Sequence, residues 1–159
     1  LLPQDPKALL VCDSVAEELA EWRSRCGYEP ADERAMLSRF GLDGCENLHP
    51  YDLSGGQQQK LALAKLLLTG ARLLLLDEPT KGLDPRACAD MAHTLRALAD
   101  EGRTVVLVTH DLDFAYVVAD EVTMLFDGEA ACTEPAEAFF AGNLVYRPSA
   151  ASRLFALVG

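Results

Sequence analysis

Cationic residues are scarce in this chain: 14 Lys and Arg stand against 25 Asp and Glu, for a net charge of −11 over 159 residues. A nucleic-acid surface needs clustered Lys and Arg to displace counterions from phosphates, so no nucleic-acid partner is expected. The same deficit disfavours direct docking on an anionic membrane. Long apolar runs are missing as well. Leu73–Leu76 and Val105–Val108 are far shorter than the ~20 residues a bilayer span requires, and no direct membrane insertion is expected. Leu1-Leu2-Pro3-Gln4-Asp5-Pro6 has neither a basic start nor an apolar core, so it does not read as a signal peptide. Cys12, Cys26, Cys45, Cys88 and Cys132 are odd in number and form no C-x-x-C pair. They read as reduced thiols used as small core residues, not as a metal site or a disulfide frame. Half of the residues are apolar and a quarter charged, an ordinary globular balance with chain enough for one domain of roughly 100–150 residues. One lack is chemically specific: the chain contains no G-x-x-x-x-G-K-[ST] loop, whose backbone amides and lysine would cradle phosphates.

The residues that are present divide the chain into two regions. Up to about Leu53 the chain reads as helical. Ser14 can cap Val15-Ala16-Glu17-Glu18-Leu19, with Glu17 at the third helical position, and a second helix runs from about Ala31 to Phe40 and stops at Gly41. From Ser54 onward helix and strand alternate. Ser54 caps a helix ending near Gly70, Arg72–Leu76 is an apolar run of strand length, and Asp84-Pro85 opens a helix that Gly102 ends. Thr104–Val108 is a second strand, Asp111–Ala119 a short helix, and Val122–Phe126 a third strand turned by Asp127-Gly128. Helices near Pro135–Ala141 and Ser149–Leu157 close the chain. Apolar strands without alternation, separated by helices, predict an α/β fold with a parallel sheet covered on both faces.

Two places in this pattern carry chemistry. At Ser54-Gly55-Gly56 a helix begins with unpaired amides and the positive dipole end facing forward, and two glycines let an anion approach the backbone. Gln57, Gln58, Gln59 and Lys60 add donors on the first turn. At Leu73-Leu74-Leu75-Leu76-Asp77-Glu78 an apolar strand delivers two carboxylates to its C-terminal edge, where ligands of open α/β sheets bind. Asp77 suits holding Mg²⁺, and Glu78 suits orienting or deprotonating an attacking water. Taken alone, the serine-glycine start reads as a capped helix with a flexible entry, and Asp-Glu as a solvated turn. Their order and spacing favour the phosphate reading. His110, at the end of the next core strand, could hydrogen-bond a γ-phosphate. His49 and His93 have no such setting, and Trp22, at helical spacing from Leu19 and Val15, reads as packing.

Gln4-Asp5-Pro6, Leu53–Gln57, Leu73–Glu78, Gly82-Leu83-Asp84 and Thr109-His110 stand in the order of the Q-loop, signature motif, Walker B, D-loop and switch histidine. Over nearly its whole length the chain resembles the ATP-binding cassette (ABC) ATPases. The likeness is greatest to the ATPase subunits of energy-coupling-factor and cobalt-type importers of vitamins or metals. It rests on Gln4-Asp5-Pro6 leading to Ser14–Leu19, on Lys81-Gly82-Leu83-Asp84-Pro85 and on Val145-Tyr146-Arg147-Pro148. The resemblance implies a partial RecA-like P-loop NTPase core with the ABC helical subdomain. Residues 1–53 would hold the Q-loop and helical subdomain, continuing into the signature helix at about 54–70; residues 71–133 the core; and residues 134–159 a helical tail.

It further implies ATP and Mg²⁺ as cofactors and a head-to-tail pairing with a second ABC ATPase half. Ser54, Gly55, Gly56 and Gln57 would meet a nucleotide held by that half, while Gln4, Asp77, Glu78 and His110 would act on the chain's own. Glu78 and His110 would be catalytic, Asp77 and Gln4 metal-binding, and Asp84 a bridge between halves. A transmembrane transporter subunit would be the second partner, placing the protein on the cytoplasmic face of a cell membrane. The family's Walker A lies upstream of the Q-loop, so the resemblance marks the chain as a truncated form, predicted inactive alone. Two other readings stay open: a non-catalytic half that supplies the signature motif in trans, and a soluble ABC ATPase without a transport role.

Overall fold

A computed structural model describes residues 1–142. The expected helix at Ser149–Leu157 and the Val145–Pro148 segment lie outside the described residues. The chain opens by pairing: Leu2 bridges Leu76 in parallel, its N–H donating to Leu75 O at 2.7 Å and its carbonyl accepting from Asp77 N–H at 2.9 Å. A 3₁₀ turn at Pro6–Leu9, capped by Asp5, leads into α1 (Val15–Ala20), α2 (Arg23–Cys26) and α3 (Pro30–Phe40). Ser14 Oγ caps α1 by accepting from Glu17 N–H at 3.2 Å, and Gly41 ends α3 in the left-handed conformation at φ 63°, which glycine adopts without Cβ strain. Then come α4 (Gly55–Leu68), β1 (Leu73–Asp77), α5 (Pro85–Asp100), β2 (Thr104–Val108), α6 (Leu112–Val118), β3 (Glu121–Phe126), β4 (Glu129–Pro135) and α7 (Ala136–Gly142).

β1 and β2 pair in parallel, Leu73 opposite Thr104 through Asp77 opposite Val108. Leu74 and Leu76 point into the main core, which also holds Leu61, Leu63, Leu67 and Leu68 of α4, Met91, Leu95 and Leu98 of α5, and Phe114 and Val118 of α6. The same core extends through Leu2, Val15, Leu19, Leu37 and Phe40, so the first helices and the sheet share one apolar body. The opposite face is bare: Leu73, Leu75, Val106 and Val108 are exposed, Val108 by 57%. Coverage of both faces was the expectation; among the described residues the sheet is covered on one. The period-two side-chain alternation of a strand turns the odd residues of β1 to that open face.

The third strand also departs from the parallel expectation. β3 pairs antiparallel with β4 in a separate two-stranded sheet. Asp127 and Gly128 both have positive φ (51° and 82°), the conformation of a tight two-residue hairpin, which folds the chain straight back. β4 escapes a propensity reading because Glu-Ala-Ala-Cys-Thr-Glu-Pro has one β-branched residue and almost no buried face. Phe139 and Phe140 of α7 anchor the hairpin to α6, with Phe140 edge-on to Tyr116 at 5.3 Å.

Candidate functional site

Glu78 follows β1 directly and takes a left-handed conformation at φ 46°, which for a residue with a Cβ costs about 1–3 kcal/mol and persists only where neighbours enforce it. The neighbours are all at the end of β2. Glu78 N–H donates to Val108 O at 2.9 Å. Its carboxylate accepts from the Thr109 hydroxyl at 3.0 Å and from the His110 backbone N–H at 3.1 Å, and it meets His110 Nδ1 at 2.7 Å. Burial alone would push the Glu78 carboxyl up, but the hydrogen bonds from His110 and Thr109 and the nearby imidazole outweigh it and hold the group below the ordinary glutamate value. Glu78 is therefore an ionised, oriented carboxylate with its side chain 16% exposed, while the His110 ring stands 81% exposed and leaves Nε2 toward solvent. Asp77 is exposed on the bare face of the sheet, at the same C-terminal edge. Gln4 lies two residues beyond the Leu2–Leu76 bridge, so the parallel run carries it past the end of β1 to that edge, also exposed.

The helix start at Ser54 is built as a reciprocal cap. Ser54 Oγ accepts from Gln57 N–H at 3.3 Å and Gln57 Oε1 accepts from Ser54 N–H at 3.0 Å. The two glycines divide their work. A Cβ at Gly56 would stand 3.3 Å from Ala87 Cβ, so its bareness lets α4 pack closely on the first turn of α5. A Cβ at Gly55 would meet only Gly82 O, at 4.0 Å, so the approach to its amide is the more open one. Asp84 caps α5 by accepting from Ala87 N–H at 2.9 Å. Asp84→Ala is expected to cost about 1 kcal/mol, typical of a lost N-cap, read as a lower urea midpoint.

Of the donors expected on the first turn of α4, Gln58 and Gln59 turn inward and the other two are engaged elsewhere. Gln57 is held in the cap. Gln58 is buried and donates to the carbonyls of Pro50, Tyr51 and Leu53, fixing the entry loop. Gln59, also buried, reaches Pro79 O at 3.0 Å, and Lys60 pairs with Asp90 at 2.9 Å. The role of Gln59 is what sequence reasoning missed: it ties the serine-glycine helix to the turn after the carboxylates. Its signal was a polar side chain on a helix buried nearly all round; the amide nitrogen finds Pro79 O, while Oε1 is buried without a hydrogen-bond partner among the described residues. Thr109 is a second case, since its hydroxyl orients Glu78.

The structure thus forms two neighbouring groups. Asp77, Glu78, Thr109 and His110 meet at the ends of β1 and β2. A groove of about 420 Å³ brings Gln4 together with Gly55, Gln59, Lys81 and Gly82. Residues 2–81, half of the chain, match a family model described as ABC transporter. The chain belongs to the ABC transporter family.

Relatives named as ABC transporter ATP-binding proteins agree with this. One from Bacillus thuringiensis subsp. konkukian is 44% identical over 139 residues, 87% of this chain and 25% of its own length. One from Streptomyces coelicolor is 42% identical over 154 residues, 97% of this chain and 27% of its own. The chain spans about a quarter of the length of these curated relatives. Among solved structures, cbiO1 of Clostridium perfringens, part of the ABC transporter complex cbiONQ, superposes with a TM-score of 0.78 at 27% identity, covering 88% of this chain and 58% of that one. A dimeric ATP-binding cassette in a post-hydrolysis state, bound to ADP and Pi, gives 0.67 at 26% identity over 80% of this chain and 60% of that one. The fold is accordingly part of the RecA-like fold of the ABC ATPases. Among the described residues no helix is long and apolar enough to cross a membrane.

Proposed function

We propose that this chain is the portion, from the Q-loop to the C-terminal tail, of an ATP-hydrolysing subunit that powers an ABC-type importer of a vitamin or metal ion. The observation that carries the reading is the ionised Glu78, held by Thr109 and His110 where two parallel strands end, beside the capped helix start at Ser54. The likeness to cbiO1, part of an ABC transporter complex, supports a transport role with a transporter partner, and the dimeric cassette supports pairing of two ATPase halves. The active protein would then work on the cytoplasmic face of the membrane.

The donor set fits the cofactors. Asp77 and Gln4 present oxygen atoms at one exposed sheet edge, as a hard cation such as Mg²⁺ requires, and a bound ion would neutralise phosphate charge there. Glu78 accepts the proton of an attacking water and His110 positions Glu78; only with a proton on both ring nitrogens could His110 also donate from Nε2 to a phosphate oxygen. Ser54 and the Gly55 amide would receive the phosphates of a nucleotide held by the partner half. Asp84 would stand at the junction of the two halves. Residues 1–53 and the α4 helix form the helical subdomain, 71–133 the core, and 134–159 the tail in this reading.

Titration of the 159-residue chain with MgATP tests how the site divides between chains. Without a G-x-x-x-x-G-K-[ST] loop the β- and γ-phosphates lack their main grip, so no saturation is expected below about millimolar and no turnover. Tight binding with measurable hydrolysis would overturn that division. Among the described residues the β1–β2 face is bare and the outer edges of β2 and β3 are unpaired, from which we also expect self-association of this chain. Light scattering at high concentration should report a dimer or larger; a persistent monomer would contradict it.

A further inference from the structure

Lys65 lies on α4 nine residues after Gly56, with its side chain fully buried. Its ammonium pairs with Glu18 in α1 and with Glu21 just after it, donates to Leu9 O at 2.8 Å, and stands 4.7 Å over the Trp22 ring. Glu18 spends its other oxygen on the Cys12 backbone N–H at 2.6 Å. Cys12, Glu18 and Glu21 are close enough together to suggest a metal ligand set. The lysine already occupies the place between the carboxylates, and burial together with Glu18 and Glu21 pushes the Cys12 thiol up, away from the thiolate a metal needs.

Apolar side chains of equal volume would hold these elements together as firmly as a buried ion pair. What the charges add is register, because one arrangement alone satisfies the ammonium and both carboxylates. The arrangement is reinforced beside it: the Tyr51 hydroxyl donates to Leu10 O at 3.4 Å, Lys7 lies 5.2 Å over the Tyr51 ring, and Gln58 of α4 donates to Tyr51 O at 3.4 Å. Leu9 ends the 3₁₀ turn that comes after Gln4 and Asp5.

We propose that Lys65 is a positioning residue: it fixes the Gln4–Leu10 segment and α1 on α4, so that Gln4 and Ser54–Gly56 keep one relative placement. The functional side of this rests on the reading of those residues as parts of a nucleotide site; the structural side does not.

The test compares the full chain with Lys65→Arg and with the neutral triple variant Lys65→Met, Glu18→Gln, Glu21→Gln. The triple variant buries no unpaired charge, so its unfolding midpoint should stay near that of the wild type. Its Ala8 and Leu10 amides, which close the 3₁₀ turn, should exchange about tenfold faster with solvent, whereas Lys65→Arg should exchange like the wild type. Glu21→Gln leaves the buried charges balanced and serves if the triple variant does not fold; it should accelerate the same amides about threefold. In the complete protein, the triple variant should lose about tenfold in kcat for ATP. Unchanged exchange in these variants, or wild-type kcat in the triple variant, overturns the proposal. A wild-type protein that does not hydrolyse ATP would show that the nucleotide reading has failed, and exchange alone would then decide the clamp.

Discussion

Glu78→Gln is expected to lower ATP turnover of the complete protein by about 10²–10⁴-fold, the range for loss of a general base, while nucleotide stays bound. Glutamine keeps the volume and one acceptor, so Thr109 can still hold it near its place. It cannot take a proton from water. The depressed acidity of Glu78 matters to the sign of a second effect. Because its folded-state value lies below the ordinary glutamate value of 4.5, Glu78 adds stability above that pH, and the contribution fades as pH falls through the folded value. The Gln variant has no such group, so its acid unfolding limb should be flatter than that of the wild type. Turnover within twofold of the wild type would remove Glu78 from the reaction.

Lys65→Met carries the largest expected effect on stability. It leaves Glu18 fully buried without its cation, a change that typically costs about 3–5 kcal/mol. Glu21 is a third exposed and can turn to water, so most of the cost belongs to Glu18. Against a total of about 5–15 kcal/mol for a domain, that loss should bring the chain close to unfolding at room temperature. Urea denaturation measures it. A loss under about 1 kcal/mol would mean that water reaches Glu18 once the lysine is gone, and that the pair is not sealed as its burial indicates.

The elements that sequence reading placed well are those with strong punctuation. Ser54, Asp84 and Gly41 each sit where a cap has a specific hydrogen bond or φ to satisfy, and the helices begin or end within a residue or two of the expectation. The carboxylates and His110 were legible because buried parallel strands announce themselves as apolar runs, and the residues just past each run stand at the sheet's C-terminal edge. β4 was not legible, since its residues have neither strand propensity nor a buried face, and it exists because Asp127-Gly128 turns the chain onto β3. The inward roles of Gln58 and Gln59 were hidden for another reason. A glutamine next to an anion-binding helix start is chemically able to face the anion, and only the packing of α4 shows that backbone carbonyls claim it first. Lys65 was equally silent, because a lysine in a helix reads as solvated until its partners arrive from α1, forty-odd residues away.

The most direct test is nucleotide retention by the complete protein after gel filtration, in Glu78→Gln and in Glu78→Gln combined with Ser54→Arg. The single variant is expected to carry unhydrolysed ATP through the column, and the arginine at the start of α4 to block the phosphate approach and release it. Equal retention by both variants would show that Ser54–Gly56 does not grip the nucleotide, and would contradict the assignment of this helix start.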